Sequence, residues 1–368
     1  MKIIGMALAL CVATAPAIAE DKLLSETLEF TAEIFHLDTG VPGLVIGAVR
    51  YGETAVFGVG EVKKGANKAP NGDTAFGVGS ITKSFTGLSL AHLASAGTVA
   101  LTDPVGPLID LVETFPERDG HPIRLIELAT HASGLPRELF PVDGVERYSD
   151  GSFAANLTDD ALLFTPGTGL LYSNVGFDVL GLALGKASGK PYAEVLQELV
   201  LDPLGMSATG YARPAGDNVA VGYDWNGNEM DPGEPISNRS GASGLYTTAN
   251  DMLRYLEWHL DRFGSEGMEA RKISQAAWAM RDGQNPVYGL DESGHMDAMG
   301  LGWVIMMPDG DRPLILQKAG GTNGVFSYLA LAPHRGVGVF MSINQFNFSA
   351  GIEMAHVVND LIAVLAPR

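Results

Sequence analysis

The chain has 368 residues, 46% hydrophobic and 18% charged, with a net charge of −19. That composition excludes collagen, coiled coil and bulk disorder, and it leaves ample chain for one large or two modest cores. A nucleic-acid binder displaces counterions with clustered Lys and Arg; 43 acidic against 24 basic residues, with no basic run, exclude that partner.

Lys2 is followed by an apolar stretch over residues 3–14 and then by Ala17-Ile18-Ala19. This is the layout of a secretory signal peptide, residues 1–19, cleaved after Ala19. The apolar run is shorter than the roughly 20 residues of a bilayer span. No later stretch reads as a span, so no transmembrane anchor is expected after cleavage. The single cysteine, Cys11, lies inside the signal. The exported chain then has no disulfide, thiol nucleophile or cysteine metal site. Export without disulfides fits a bacterial periplasm.

Residues 22–36 carry Leu23, Leu24, Leu28, Phe30, Ile34 and Phe35 at helical spacing. Residues 43–50 and 54–62 read as two strands around a Tyr51-Gly52 turn, and 74–78 as a short extended piece. A long helix is expected from Ser80 to about Ala96, with Gly97 as its stop. A helix over 174–187 ends at Ser188-Gly189, Pro191 opens the next, and Thr248 caps another with Asp251 three residues on. Residues 205–244 are dense in Gly, Pro and Asn, with Asn226-Gly227 as a hairpin turn. Strands over 314–318, 325–331 and 337–343 precede a final helix over 350–365. The expected fold is α+β: one antiparallel sheet built from residues 20–80 and 300–368 and flanked by helices, with a mainly helical region, 81–299, inserted between.

Three short motifs follow in order. Ser80-Ile81-Thr82-Lys83 puts a serine and a lysine on one helix face. A serine becomes nucleophilic when a base takes its proton, and burial or neighbouring cations can free a lysine amine for that task. A serine at a helix start also has a spare backbone N–H for an oxyanion. Tyr172-Ser173-Asn174 lies at the foot of a helix; Tyr172 can relay a proton, and Asn174 can orient substrate or Lys83. Lys318-Ala319-Gly320-Gly321 ends a strand. Lys318 offers a cation to a carboxylate, Gly320 and Gly321 allow close backbone approach, and the Gly321 N–H is a second oxyanion donor.

Each triplet has decoys, such as Lys63-Lys64-Gly65 and Ser342-Ile343-Asn344, so order and context carry the reading. Ser80 and Lys83 taken alone also fit a helix cap and a solvated lysine. His131 reads as a hydrogen-bonded structural histidine rather than a base. The eight histidines show no metal spacing. Asp224-Trp225-Asn226-Gly227-Asn228 reads as a hairpin rather than a calcium loop, because Glu229 holds the position a calcium loop gives to glycine. Trp225 and Trp303 read as core residues.

At these residues the sequence resembles the serine β-lactamase and penicillin-binding protein superfamily. Residues 76–83 resemble its nucleophile segment. Residues 128–136, Pro203-Leu204-Gly205-Met206, Gly244-Leu245-Tyr246-Thr247-Thr248 and 318–324 resemble its class C-like branch. Residues 298–303 and 317–321 are most similar to the AmpH-type DD-carboxypeptidase/endopeptidase group. The resemblance runs from Gly43 to Asn344.

The resemblance implies the sheet-and-helix fold with the site in the cleft between. It implies Ser80 as the acylated nucleophile and Lys83 with Tyr172 sharing acid–base duty. It also implies Asn174 on the acyl amide, Lys318 on a carboxylate, and the Ser80 and Gly321 amides as the oxyanion hole. No cofactor and no metal are implied. Two features depart from the family pattern. Ala319 replaces the usual hydroxyl of the third motif, a loss of about 1.5–3 kcal/mol for one hydrogen bond to a charged group, with Thr322 as its expected substitute. No class A glutamate segment is found, so deacylation rests on Tyr172 and lysine. The implied function is a periplasmic serine hydrolase that binds peptidoglycan stem peptides or β-lactams. A D-alanyl-D-alanine peptidase leads. A class C-like β-lactamase, an esterase or D-amino-acid amidase, and a non-catalytic penicillin sensor are the alternatives.

Overall fold

Strand β1 (Gly43–Arg50) is apolar along almost its whole length because helices cover both faces of the sheet it joins. The computed structural model describes residues 22–233, 241–291 and 293–366. The signal segment, with Cys11 and Ala19, lies outside the described residues. The main sheet adds β2 (Glu53–Gly60), β3 (Ala279–Met280), β4 (Ala298–Met299), β5 (Val304–Met306), β6 (Ile315–Thr322), β7 (Val325–Ala332) and β8 (Val337–Ile343). Its order is β2-β1-β8-β7-β6-β5-β4-β3, antiparallel throughout. β1 pairs with β8, Leu44 opposite Ile343, so both ends of the chain build one sheet. β3 and β4 lie before residue 300, inside the stretch expected to be helical; strands of two residues leave no readable period.

The sheet separates two cores. Leu44, Ile46, Tyr328, Ala330, Val339 and Met341 face outward, against helices α1 (Lys22–Thr39) and α5 (Phe348–Leu365). Val45, Val49, Leu329, Leu331 and Phe340 alternate with them and face the inner core. That core is shared with α2 (Thr82–Ser95), α3 (Asn174–Ser188) and α4 (Ala249–Leu260). α5 is long and apolar enough by length and composition to cross a membrane, which the sequence reading overlooked. Its buried Met354, Val358 and Ile362 belong to the outer core.

Expected and observed elements differ where burial and turn chemistry decide. Leu23, Phe30 and Ile34 of α1 are exposed, and Leu24, Leu28, Ala32 and Phe35 make its buried stripe. The helix expected from Ser80 starts as a 3₁₀ turn, Gly79–Ile81, and becomes α-helical at Thr82. β6 runs four residues beyond the predicted Lys318 because β7 pairs it as far as Thr322. Trp303 is fully buried, whereas Trp225 is exposed at the tip of the hairpin closed by Asp224 and Asn228, contrary to its reading as core.

Candidate active site

β5 pairs with β6 only through Gln317. From Lys318 onward β6 has β7 on one side, and the Gly79–Ile81 turn fills the other. The approach is so close that glycine is required on both partners. A Cβ on Gly320 would stand 2.0 Å from the Val78 carbonyl oxygen and 3.0 Å from the Ser80 nitrogen. One on Gly79, which has φ +50°, would stand 2.3 Å from the Gly321 oxygen and 2.9 Å from the Gly321 nitrogen. The Ser80 and Gly321 amides thus lie on two apposed backbone segments at the start of α2.

Lys83 is fully buried one turn after Ser80. Its Nζ is 3.1 Å from Ser80 Oγ and donates to Asn174 Oδ1 at 2.6 Å and to the Ala242 carbonyl at 2.8 Å. The Tyr172 hydroxyl reaches Ser80 Oγ from the other side at 2.6 Å. Tyr172 is delivered by a two-residue parallel pairing, Leu170–Leu171 with Val287–Tyr288, extended by its own N–H to the Tyr288 carbonyl at 3.1 Å. Asn174 opens α3, whose first turn is capped by Ser173 Oγ accepting from the Gly176 N–H.

Three cations surround the Tyr172 ring: Lys83 Nζ at 5.0 Å from its centroid, Lys318 Nζ at 4.9 Å and the Arg137 guanidinium at 4.8 Å. Lys318 is buried. Ala319 is half-buried and packs against the outer core. Thr322 sits four residues, about 13 Å of strand, beyond Lys318. Its methyl packs toward Gly77 of the short strand Phe76–Gly77.

His131 is buried beneath Tyr172, ring centroids 4.6 Å apart, and its Nδ1 accepts from the Ser173 N–H at 3.0 Å. Burial first, then Lys318, Lys83 and Arg137, hold it well below the usual histidine range. It is a neutral support for Tyr172 and Ser173. Among the described residues, no cluster of three or more His, Cys, Asp or Glu is placed to hold a metal ion.

The structure brings Ser80, Lys83, Tyr172, Asn174, Lys318, Gly320 and Gly321 together, with Thr322 directly after Gly321 on β6. Motif reading missed Arg137, Glu138 and Asp178. Arg137 and Glu138 follow the Gly134-Leu135-Pro136 segment directly. Asp178 is a buried carboxylate four residues after Asn174, hence on the same face of a helix whose other residues from Val175 to Gly185 are apolar. A charge in that position is a legible signal.

Comparison with known proteins gives the same assignment. The Beta-lactamase family profile matches residues 21–362. The chain is 31% identical over 361 residues, 96% of its length and 92% of the relative's, to the D-alanyl-D-alanine-carboxypeptidase/endopeptidase AmpH of Escherichia coli K12. It is 24% identical to a β-lactamase of Pseudomonas fluorescens, covering 91% of this chain and 98% of that one. A solved β-lactamase/D-alanine carboxypeptidase of Yersinia pestis, complexed with citrate, superposes with a TM-score of 0.82 at 30% identity, covering 94% of this chain and 99% of that one. A class C β-lactamase structure superposes with a TM-score of 0.77 at 20% identity, covering 94% and 98%, and shares the fold. With the three motifs gathered around one serine, the chain belongs to the Beta-lactamase family and is a serine hydrolase of the DD-peptidase or β-lactamase type.

Proposed function

We propose that this protein is a periplasmic D-alanyl-D-alanine carboxypeptidase/endopeptidase that acts on peptidoglycan stem peptides through a Ser80 acyl-enzyme and binds penicillin at the same serine. The observation that carries the reading is Ser80 Oγ held between Lys83 Nζ and the Tyr172 hydroxyl. The 31% identity to AmpH over nearly the whole chain supports peptidase over β-lactamase. The signal-peptide pattern of residues 1–19 supports export.

In this reading the Ser80 proton passes to the Lys83–Tyr172 pair as Oγ attacks the penultimate D-alanine carbonyl. The Ser80 and Gly321 N–H groups receive the oxyanion. Asn174 orients the acyl amide, Lys318 attracts the terminal carboxylate, and Gly320 lets the strand close against the Ser80 turn. The C–N bond breaks, and the departing D-alanine amine takes its proton from Tyr172. Water then cleaves the Ser80 ester with the same pair as base.

The test follows intact mass over time after mixing with benzylpenicillin, alongside D-alanine release from a D-alanyl-D-alanine peptide. A lasting adduct and D-alanine release, both absent in Ser80→Ala, are expected. An adduct that turns over while penicillin is consumed makes the protein a β-lactamase. No adduct and no D-alanine release move it to the esterase or amidase class, which the Ala319 substitution favours.

A further inference from the structure

Lys83 has two carbonyl acceptors besides Ser80, and a carboxylate outside the three motifs holds each of them. Asn174, whose Oδ1 accepts from Lys83, donates its Nδ2 to Glu138 Oε1. Tyr148 donates to the other Glu138 oxygen at 2.6 Å. Ala242, whose carbonyl accepts from Lys83, donates its own N–H to Asp178 Oδ1 at 3.0 Å. Asn174 and Asp178 lie one turn apart on α3. The Gly241-Ala242 segment is pressed against that helix, since a Cβ on Gly241 would stand 1.9 Å from the Phe177 carbonyl oxygen.

We propose that Glu138 and Asp178 are positioning residues that aim the Lys83 amine at Ser80, on the reading that Ser80 is the acylated serine. A tetrahedral amine has three directions beyond its Cε bond. Two meet carbonyl oxygens, which only accept, so N–H bonds occupy them whether Lys83 is charged or neutral. The third direction is left to Ser80. It carries a third N–H in the ammonium form and the lone pair of a base in the neutral form. This selection fails if the Asn174 amide turns over and presents its NH₂ to Lys83. An ionised Glu138 only accepts, so it claims Nδ2 and keeps Oδ1 on Lys83. Asp178 holds Ala242 in register from the opposite side. Other charged or titratable groups around the lysine are Tyr172, Lys318, Arg137 and His131.

The test measures Ser80 acylation by benzylpenicillin and by a chromogenic ester across pH. It uses wild type, Glu138→Ala, Glu138→Gln, Asp178→Ala and Asp178→Asn, with a thermal midpoint for each. The alanine variants are expected to acylate about 10- to 100-fold more slowly, with non-covalent affinity changed less than about 3-fold, as for loss of an orienting partner. The acid limb of their profile moves to lower pH, because the Lys83 ammonium loses a held acceptor. Asp178→Asn retains an acceptor oxygen for the Ala242 N–H and recovers most of the rate, and Glu138→Gln, which can donate as well as accept, recovers part of it. If Asp178→Ala does not fold, the Glu138 pair and Asp178→Asn decide. Alanine variants with the wild-type rate and pH profile overturn the assignment. So does a loss confined to affinity that Gln fails to restore, which makes Glu138 a substrate contact. Wild-type protein that forms no Ser80 adduct with either reagent overturns the Ser80 reading and this assignment with it.

Discussion

Ser80 Oγ is met by an amine from one side and a phenol from the other, so each can take or return a proton without moving the serine. Removing either costs the acid–base contribution, on the order of 10²–10⁴-fold. Lys83→Ala and Tyr172→Phe should therefore lose acylation by that factor while the fold survives; pre-steady-state acylation with circular dichroism checks both. The buried histidines give a separate prediction. His259 is pushed down to about 3 by burial first, then by Arg271 and His92, and His131 is also held low. Unfolded histidine titrates near 6.5. Below that pH the unfolded chain binds more protons than the folded one, so this stability is whole above pH 6.5 and falls as pH drops toward the folded values. The slope is about 1.4 kcal/mol per pH unit for each histidine fully in that window. His259→Gln should flatten the fall of the thermal midpoint between pH 6.5 and 4.5; identical slopes in both proteins would contradict the burial argument.

Between elements, the site is a contact of backbones. β6 and the Gly79–Ile81 turn approach too closely for a Cβ at residue 320. Gly320→Ala should push the strand off the turn and separate the Ser80 and Gly321 amides. A displacement of about 1 Å costs roughly 100-fold in rate. Acylation kinetics check this, and a variant within about threefold of wild type would show that the strand yields without consequence. Helix α4, which covers β1 and β8 through Leu253 and Leu256, is capped by Thr248 Oγ1 accepting from the Asp251 N–H at 3.2 Å. Thr248→Ala should cost about 1 kcal/mol of stability, read from urea midpoints, with the acylation rate unchanged.

At the scale of the molecule, one sheet carries the two larger cores, and its β1–β8 pairing joins the two ends of the chain. The helical region that supplies Tyr172 and Asn174 packs into the same inner core as the strands that supply Lys318. Loss of the site and loss of the fold should therefore be one event. Penicillin binding and far-UV circular dichroism should show coincident urea transitions, the signature of a single cooperative unit. Binding lost at clearly lower urea than secondary structure would mean that the helical region opens by itself.

Much was legible in the sequence because local chemistry states it. Continuous apolar runs marked β1, β7 and β8, buried on both faces; Gly97 and Gly189 marked helix ends; and the three motifs named seven residues that the structure gathers around one serine. The short strands β3 and β4 were not legible, because two residues show no period and only a neighbouring strand makes them sheet. The exposed side of α1 was not legible either, since Leu23, Phe30 and Ile34 satisfy helical spacing as well as the residues that are buried. What tertiary structure alone decided is which groups stand behind the motifs. Thr322 follows Gly321 at the strand end that borders the site. Arg137, Glu138 and Asp178 enter it because a loop and the first turns of α3 converge on Lys83. Residue order fixes the types of group available for acyl transfer, and only packing sets the distances at which they meet.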